Sequence, residues 1–390
     1  MTSGPFPHVL ILPKWWPNAV DPQLGDFIRK QVQAIQSVTK VSVLLVEPGQ
    51  ERTVVVVQED GLPIVRSTYI AHSGRSGAVR RTVNFLRYWR ATRRGYLALV
   101  AAYGSPQVVH VHIMVRPALL AFWLRMRNGI PYLISEQSSE YLDGTFARKS
   151  GYFKALNRYL FKRAAEITVV SRWLGEGLEK LGLTSRYSIV PNVVPGLDRP
   201  LPPPGPPGQY LVVADLVDKT KNVSGVIRAF AHAREQVSDL GLTVIGDGPD
   251  REFLHDLVRT LDLQTHVRFL GRLPNAEVLD HMAHTGAVII NSNVETFSVV
   301  TGEALAQGKP VIATRCGGPE AFVTARNGIL VDVGDERALC TAMVQMSAGM
   351  DNYGPEEMRS SVQERSSPGQ VGSAFLRIYQ ETLARTHGGT

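Results

Sequence analysis

Short apolar runs alternate along the chain with longer stretches in which apolar residues recur at helical spacing. The runs predict buried strands, and the amphipathic stretches predict helices. The first half predicts strands at Val9–Leu12, Val41–Val46, Val54–Val57, Val108–His112, Tyr132–Ser135, Ile167–Val170 and Ser188–Val190. Its predicted helices are Gly25–Gln36, Val79–Ala101, Arg116–Met126, Tyr152–Ala165 and Arg172–Leu181.

The second half repeats this alternation. Its predicted strands are Tyr210–Ala214, Leu242–Ile245, Val267–Phe269, Ala287–Asn291, Val311–Thr314 and Ile329–Val331. Its helices are predicted to begin near Asn222, Pro249, Asn275, Ser298, Pro319 and Asp335. The pattern predicts two α/β domains, each with a parallel sheet covered by helices on both faces. Open sheets of this kind bind ligands at the carboxyl ends of their strands, so we expect the two sheets to face each other across a cleft.

A proline-rich segment divides the chain. The fourteen residues from Pro195 to Gly208 contain seven prolines and three glycines, which disfavours a helix or an inner strand. We predict a first domain over residues 1–195, a linker over 196–208 and a second domain over 209–366. Residues 367–390 are predicted to form a terminal helix that packs back toward the first domain. A length of 390 residues suits this division.

Composition narrows the class of protein. Two cysteines, Cys316 and Cys340, are too few for a disulfide framework and suit a reducing cytosol. The first eight residues carry no basic cluster before the first apolar run, so we expect no signal peptide. The longest uncharged stretch, Gly95–Val115, contains a turn and two histidines and does not predict a membrane span.

The net charge of +7 conceals an asymmetry between the two halves. The first half is strongly basic and the second is acidic, and residues 61–135 contain eleven arginines and no acid. The arginines of this stretch that flank a predicted helix rich in aromatic residues are Arg75, Arg80, Arg81, Arg87, Arg90, Arg93 and Arg94. Basic and aromatic residues on one helix favour an anionic membrane surface. No nucleic-acid-binding signature is present, so we predict a cytoplasmic protein on the inner face of the membrane.

Several common sites are absent from the sequence. Gly302–Lys309 differs from a phosphate loop in its glycine spacing, and Pro310 follows where Ser or Thr is required. No strand is followed by a Gly-x-Gly-x-x-Gly, and no zinc or acidic metal motif is present. We therefore expect neither a resident cofactor nor a metal.

Two carboxylates flank the start of a predicted helix. Glu295 lies in the loop after a buried strand, and Glu303 lies about one turn inside the helix that begins near Ser298. Loop and helix dimensions place their side chains on the order of 10–15 Å apart. That is too far for a direct acid–base pair but suits the hexose and ribose ends of a nucleotide sugar. The free amides around Ser298–Thr301 are then expected to face the diphosphate.

This segment resembles the sugar-donor site of retaining family-4 glycosyltransferases, which have the GT-B fold. The resemblance rests on Glu295 and Glu303 with Phe297 between them, followed by Ala304-Leu305-Ala306-x-Gly308-x-Pro310-Val311. Further segments match in order, namely Leu12-Pro-x-Trp-Trp-Pro17, Gly25, Val170-Ser171, Val190-Pro-Asn192, Asp218-Lys-Thr-Lys-Asn222, Val244-Ile-Gly-Asp-Gly-Pro249 and Val267-Arg-Phe-Leu-Gly-Arg272. The resemblance implies metal-independent glycosyl transfer with retention by two Rossmann-like domains.

The resemblance also implies roles for individual residues. Glu295 would hold the donor hexose, Glu303 the ribose, and Lys221 the diphosphate as it leaves. The remaining sugar-donor residues would be Phe297, Ser298 and Val299 through their amides, Gly25 beside the phosphate, and Gly271, Arg272 and Leu273 along the base.

Two positions depart from the family pattern. Asp215 stands where the family usually has an arginine beside the diphosphate, so it is expected to repel that charge unless a cation such as Arg116 or Lys219 compensates. Gln137 stands where the family often has a histidine facing the reacting sugar, and it can hydrogen-bond a hydroxyl but cannot carry a proton. We assign Glu295, Lys221 and Gln137 to catalysis, and Gln137 with His112 to the acceptor. His112 suits a core histidine equally well.

The sequence therefore predicts transfer of a hexose or N-acetylhexosamine, with UDP as the favoured nucleotide. A glycan or lipid-linked acceptor in cell-surface polysaccharide assembly fits the basic first half. The alternatives are a mannosyltransferase using GDP-mannose, a nucleotide-sugar epimerase on the same fold, and a non-catalytic protein that binds membranes or nucleic acid.

Overall fold

The computed structural model describes residues 6–74 and 77–387, which form two compact units. The first unit combines the chain up to Val193 with the segment from Pro368 onward, and the second runs from Val194 to Ser367. The extreme N-terminus, Arg75, Ser76 and the last three residues lie outside the described residues.

The first unit is built on an eight-stranded sheet. Its strands are β1 (His8–Pro13), β2 (Lys40–Gly49), β3 (Val54–Glu59), β4 (Leu62–Ile70), β5 (Val108–His112), β6 (Tyr132–Glu136), β7 (Glu166–Val169) and β8 (Ser188–Ile189). They lie in the order β3-β4-β2-β1-β5-β6-β7-β8, and all neighbours pair in parallel except β3 and β4.

The antiparallel hairpin of β3 and β4 was not predicted. A strand at Val54–Val57 was expected, but β4 was missed because Arg66, Ser67 and Thr68 interrupt its apolar residues. The turn itself carries a recognisable signal, Asp60-Gly61, with φ of 49° and 77°. Arg66 explains the interruption, since it bridges Glu47 and Glu59 of the neighbouring strands.

Helices pack against the first sheet. They are α1 (Asp26–Gln36), α2 (Gly77–Tyr103), α3 (Arg116–Asn128), α4 (Gly151–Arg163), α5 (Arg172–Lys180) and, from the end of the chain, α13 (Pro368–His387). α13 packs against α1. Its Phe375 and Tyr379 are fully buried in the same core as Ile11 and Val32.

The second unit has a six-stranded, fully parallel sheet. Its strands are β9 (Gln209–Val213), β10 (Gly241–Ile245), β11 (Val267–Gly271), β12 (Ala287–Ile290), β13 (Val311–Thr314) and β14 (Gly328–Val331), in the order β11-β10-β9-β12-β13-β14. Its helices are α6 (Asp218–Lys221), α7 (Val223–Gln236), α8 (Arg251–Thr260), α9 (Asn275–Ala283), α10 (Val299–Ala306), α11 (Glu336–Ala348) and α12 (Pro355–Ser366). The prediction of two Rossmann-like domains is confirmed.

One predicted helix is wrong and one helix was missed. The helix predicted near Pro319 is a single 3-10 turn, Pro319–Ala321, and α12 was not predicted. The proline-rich segment 196–208 has no helix or strand, and it packs within the second unit. Lys309 donates to the carbonyl of Pro203 at 2.8 Å, and a Cβ on Gly205 would lie 1.8 Å from the carbonyl oxygen of Thr285.

None of the described helices combines the length and the apolar character needed to cross a membrane.

Gly25, which precedes α1, lies in a tightly packed loop. Its φ is 69°, and a Cβ there would lie 2.6 Å from the carbonyl oxygen of Trp15. Gly129 has almost the same φ, 70°, but open space around the missing Cβ. We expect Gly129→Ala to lower the free energy of unfolding by about 1 kcal/mol and Gly25→Ala by at least ~1 kcal/mol more. Chemical denaturation of both variants measures the difference, and equal losses would show that Trp15 gives way freely.

Candidate functional site

The loop after β12 is tied to the short helix α6. Asn293 donates from its backbone to the carbonyl of Thr220 at 2.8 Å and from its side chain to the carbonyl of Lys219 at 2.8 Å. Asn291 donates to the carbonyl of Asn222 at 3.0 Å. Asparagine amides thus join two loops at the carboxyl edge of the second sheet, and they bring Lys221 to Glu295.

Lys221 and Glu295 form a close ion pair. The Lys221 Nζ lies 2.5 Å from the Glu295 Oε1, which also accepts from the Ser292 hydroxyl at 2.8 Å. Burial lowers the pKa of Lys221, but the attraction of Glu295 outweighs it and the pKa is raised above 10.5. Lys221 is therefore charged at neutral pH. The contact of Ser292 with Glu295 was not predicted from the sequence.

The backbone of Glu295 is fixed by the neighbouring loop after β13. Its amide donates to the carbonyl of Cys316 at 3.0 Å, and its carbonyl accepts from Gly318 at 2.9 Å. A Cβ on Gly318 would lie 2.5 Å from the backbone of Phe297, so a side chain at this position is excluded without movement of the loop. The carboxylate consequently projects from a rigid support.

The start of α10 follows immediately. Ser298 has φ 65° and its hydroxyl lies 2.7 Å from that of Thr301. Phe297 is buried with its ring edge-on to Phe322 at 4.9 Å. Val299 is the first helical residue, so its amide and those that follow lack partners within the helix and carry the positive end of the helix dipole. The three residues predicted to present amides therefore lie together at a helix N-terminus.

Glu303 lies inside α10 and is only 4% exposed. Its Oε1 accepts from the Asn275 side chain at 2.7 Å, at the start of α9. The sequence placed a helix start at Asn275 but gave no reason to connect it with Glu303, 28 residues away. A buried carboxylate held by an amide is positioned to accept hydroxyl groups.

Asp215 has a cationic partner in the structure. Its Oδ1 lies 3.6 Å from an Arg272 guanidinium nitrogen, and Asp215 also contributes to the raised pKa of Lys221. Arg272 was expected to line the base, and Arg116 and Lys219 were named as compensating cations. In the described structure the ion-pair partner of Asp215 is Arg272.

The loop that carries Arg272 begins at Gly271. Gly271 has φ 72°, and its carbonyl accepts from the Gly246 amide at 2.8 Å. Leu273 lies on the same loop and is half-buried. The residues predicted to line the base thus share one segment, next to the loop after β10.

Gln137 is held in the first unit by a chain of amides. Gln31 donates its Nε2 to the carbonyl of Pro191 at 3.1 Å, and Gln137 donates its Nε2 to Gln31 Oε1 at 2.9 Å. A backbone carbonyl can only accept, so Gln31 must donate to it and must then accept from Gln137. The Gln137 Oε1 is left buried without a partner among the described residues. The unpartnered atom of Gln137 is therefore an acceptor.

His112 ends β5 and is fully buried. Its ring packs on His110 at 4.0 Å, and neither ring nitrogen has a hydrogen-bond partner in the part of the chain described. Burial lowers the pKa of His112 to about 3, so the ring is neutral at physiological pH. Its predicted contact with the acceptor stays a prediction.

Gly25 is buried against Trp15, and this contact is sufficient to exclude a larger residue at position 25. Next to this loop lies a cavity of about 580 Å³ at the carboxyl edge of the first sheet. Among the side chains that line it are Lys14, Trp15, Tyr88, Arg116, Glu140 and Phe153. Aromatic faces with charged groups suit a carbohydrate ligand, and the sequence did not predict Glu140 or Phe153 here.

Glu136 is a second unpredicted feature of this edge. It is fully buried, accepting from the Met114 amide at 2.9 Å and the Tyr141 hydroxyl at 3.1 Å. Burial raises the pKa of Glu136 to about 7. A neighbouring residue, Met114, lines the cavity, so this carboxyl is linked to the cavity wall through a backbone amide.

Over residues 6–74 and 77–387 no group of three or more His, Cys, Asp and Glu side chains could hold a metal ion.

Comparison with known proteins gives two family matches. Residues 27–193 match the model described as glycosyl transferase 4-like domain, and residues 197–353 match glycosyl transferases group 1.

Individual relatives match over shorter segments. The chain is 34% identical over 169 residues to N-acetyl-alpha-D-glucosaminyl L-malate synthase of Bacillus anthracis, covering 42% of this chain and 43% of that protein. It is 32% identical over 178 residues to the lipopolysaccharide core biosynthesis glycosyltransferase LpsD of Rhizobium meliloti, covering 43% and 48%. The matched segments span less than half the length of these relatives.

A solved structure extends the likeness to nearly the whole chain. The HepE protein of Anabaena, crystallised with UDP, superposes with a TM-score of 0.70 over 96% of this chain and all of that one. Its sequence identity of 14% supports a shared fold alone.

The Lys221–Glu295 pair yields a stability prediction. We expect Lys221→Met and Glu295→Gln each to destabilise the protein, with a coupling energy of about 1–2 kcal/mol in a double-mutant cycle. The pKa of Lys221 is raised on folding, so on the alkaline side this coupling persists up to pH 10.5 and is lost as the pH rises through the folded value. Urea denaturation of the four proteins measures it. Lys219→Met serves as a control, and a coupling near zero at pH 7 would contradict the prediction.

Proposed function

Because the chain belongs to the family-4 glycosyltransferases with the GT-B fold, we propose that it transfers a hexose or N-acetylhexosamine, with retention, from a nucleoside diphosphate sugar. UDP is the favoured nucleotide. The acceptor is a glycan or lipid-linked glycan of cell-surface polysaccharide assembly. The observation that carries this proposal is the Lys221–Glu295 ion pair beside the N-terminus of α10, with Glu303 and Asn275 behind it.

The second unit provides a place for each part of the sugar donor. Glu303 accepts hydrogen bonds from the ribose hydroxyls, and Asn275 donates to them. The amides of residues 297–299 and the Lys221 ammonium bind the diphosphate. Glu295 then takes the hexose hydroxyls. Lys221 is charged before the sugar donor arrives, so it needs no proton from solvent to stabilise the leaving nucleotide. This arrangement needs no metal ion for charge neutralisation.

The transfer step exchanges one bond at the anomeric carbon. The acceptor oxygen forms a bond to this carbon, and the bond from carbon to the β-phosphate oxygen breaks. The acceptor proton moves to that phosphate oxygen, since Gln137 cannot carry it. Lys221 and the α10 amides stabilise the negative charge that develops on the nucleotide.

The acceptor is assigned to residues of the first unit. Gln137 Oε1 is a buried acceptor without a partner among the described residues, and a hydroxyl is the complementary group. The cavity of about 580 Å³ at the carboxyl edge of the first sheet, lined by aromatic and charged side chains, has room for a sugar ring. Burial lowers the pKa of His112 to about 3 and keeps its ring neutral, whereas Glu136, whose pKa is raised to about 7, is about half protonated at neutral pH.

The names of two relatives support the sugar and the pathway. One similar protein is named N-acetyl-alpha-D-glucosaminyl L-malate synthase, and another is named for lipopolysaccharide core biosynthesis. The exposed arginines of α2 favour attachment to an anionic membrane from the cytoplasmic side. We propose no nucleic-acid partner and no resident cofactor.

The two carboxylates are expected to act at different stages. Glu303→Gln should weaken binding of the UDP sugar about 10- to 100-fold, while Glu295→Gln should retain UDP binding and lose turnover by a similar factor. Thermal-shift titration with UDP, GDP, ADP and dTDP sugars measures binding, and transfer assays in EDTA measure turnover. The anomeric configuration of the product reports retention.

Controls separate this proposal from its rivals. Donor conversion without any acceptor would instead indicate an epimerase, and rescue by Mn²⁺ after chelation would overturn metal independence. Preference for GDP over UDP would identify a GDP-mannose enzyme. A protein that responds to no nucleotide sugar would contradict the proposal as a whole.

The amide chain predicts a specific effect of Gln31. Gln31→Leu removes the group that fixes Gln137 and lets its amide turn, so we expect turnover to fall about tenfold, together with a loss of ~1–2 kcal/mol of stability. The pH profile of turnover should not change, because no proton carrier is removed. Gln36→Leu, at the exposed end of the same helix, is the control. Full turnover in Gln31→Leu would show that the orientation of Gln137 is irrelevant.

A further inference from the structure

A second cavity of the first unit is lined by arginines. It has a volume of about 620 Å³ and lies along α2 and the loop between β2 and β3. Its cationic side chains are Arg52, Arg87, Arg90, Arg93 and Arg94, and the others are Tyr69, Val83, Leu86 and Leu97. We call it the arginine groove. Its lining contains neither Gln137 nor any residue assigned to the sugar donor.

No carboxylate among the described residues neutralises the charge of the arginine groove. None of its five arginines forms an ion pair with a carboxylate in the described ranges. Arg66, on the adjacent strand, takes both Glu47 and Glu59. Five unpaired guanidinium groups around one cavity repel each other, and an anion in the cavity removes this repulsion.

The fold holds several of these arginines in place. Arg87 donates to the carbonyl of Ile70 at 2.9 Å, and Arg94 donates to that of Thr68 at 3.2 Å. Arg93 stacks over the ring of Trp123, with 5.9 Å between the guanidinium carbon and the ring centroid. Contacts of this kind orient guanidinium groups in advance, as recognition of a phosphate requires.

Apolar side chains stand beside the charges. Leu97 is 64% exposed and Leu86 47% exposed, both on the lining of the groove, and Phe85 next to Leu86 is 44% exposed. A soluble phosphate would leave these side chains in water. A lipid satisfies both features, because its phosphate meets the arginines and its hydrocarbon chain meets the leucines.

We propose that the arginine groove binds the phosphate or diphosphate head group of an anionic lipid. This inference rests on the proposed function and makes its membrane attachment more specific, because it assigns the lipid contact to one site instead of the whole basic face. Tyr69 lines both the arginine groove and the cavity assigned to the acceptor. A lipid phosphate held here places the remainder of its head group beside that cavity, as a lipid-linked acceptor requires.

The test compares two double variants that lose the same charge. Arg52→Gln/Arg90→Gln alters the groove, and both side chains are exposed and make no hydrogen bond in the described structure. Arg80→Gln/Arg81→Gln alters the same helix outside the groove. Flotation with vesicles of phosphatidylcholine, with and without phosphatidylglycerol, measures binding. We expect the groove variant to lose about tenfold more affinity for anionic vesicles than the control.

A soluble probe locates the recognition. With the proposed sugar-donor site filled by excess UDP, inorganic pyrophosphate should raise the thermal midpoint of the wild type and of Arg80→Gln/Arg81→Gln, and leave that of Arg52→Gln/Arg90→Gln unchanged. Equal losses of vesicle binding in both variants would contradict a discrete binding site in the groove. Binding of pyrophosphate without binding of vesicles would contradict a lipid as the ligand. Transfer to a water-soluble acceptor should be unaffected by either variant, so failure of this inference differs from failure of the proposed transferase activity.

Discussion

The ion pair between Lys221 and Glu295 joins two loops that are 74 residues apart in sequence. It forms because three amide hydrogen bonds from Asn291 and Asn293 hold α6 against the loop after β12. The amides predicted to face the diphosphate follow from the same loop, since it leads directly into α10. The pair also keeps both charges balanced while no anion is bound. An arriving diphosphate therefore has to share the lysine with the carboxylate.

The two-domain architecture was predictable because buried parallel strands are continuous apolar runs between amphipathic helices. The failures have physical causes. β4 pairs at a sheet edge where polar residues bridge to neighbouring strands, so its apolar pattern is broken by Arg66. Pro319 carries the signal of a helix start, but only one 3-10 turn follows. α12 is mostly polar, with Met358 and Val362 as its few buried apolar side chains, too few for a clear helical pattern.

The site was predictable where one local segment carries it. Residues 295 to 303 span a loop and a helix N-terminus, so their relative placement follows from element geometry. Contacts between distant segments were not predictable in this way. Asn275 reaches Glu303 from another helix, and Arg272 reaches Asp215 from another strand end. The direction in which Gln137 points follows from a proline carbonyl, which sequence patterns do not register.

The glycines of the second unit limit how this site can diversify. A Cβ on Gly246 would lie 1.8 Å from the carbonyl oxygen of Ala214, and one on Gly248 would lie 2.5 Å from that of Leu216. Any side chain at these positions displaces the backbone that supports the site. A substitution here is therefore expected to destabilise the loops rather than to change ligand specificity. Gly271 differs, because nothing lies within 4 Å of its missing Cβ, and asparagine or aspartate tolerates its positive φ. Substitutions that change ligand specificity are therefore expected in the segment that begins at Gly271, whereas the loops that contain Gly246 and Gly248 have to keep their glycines.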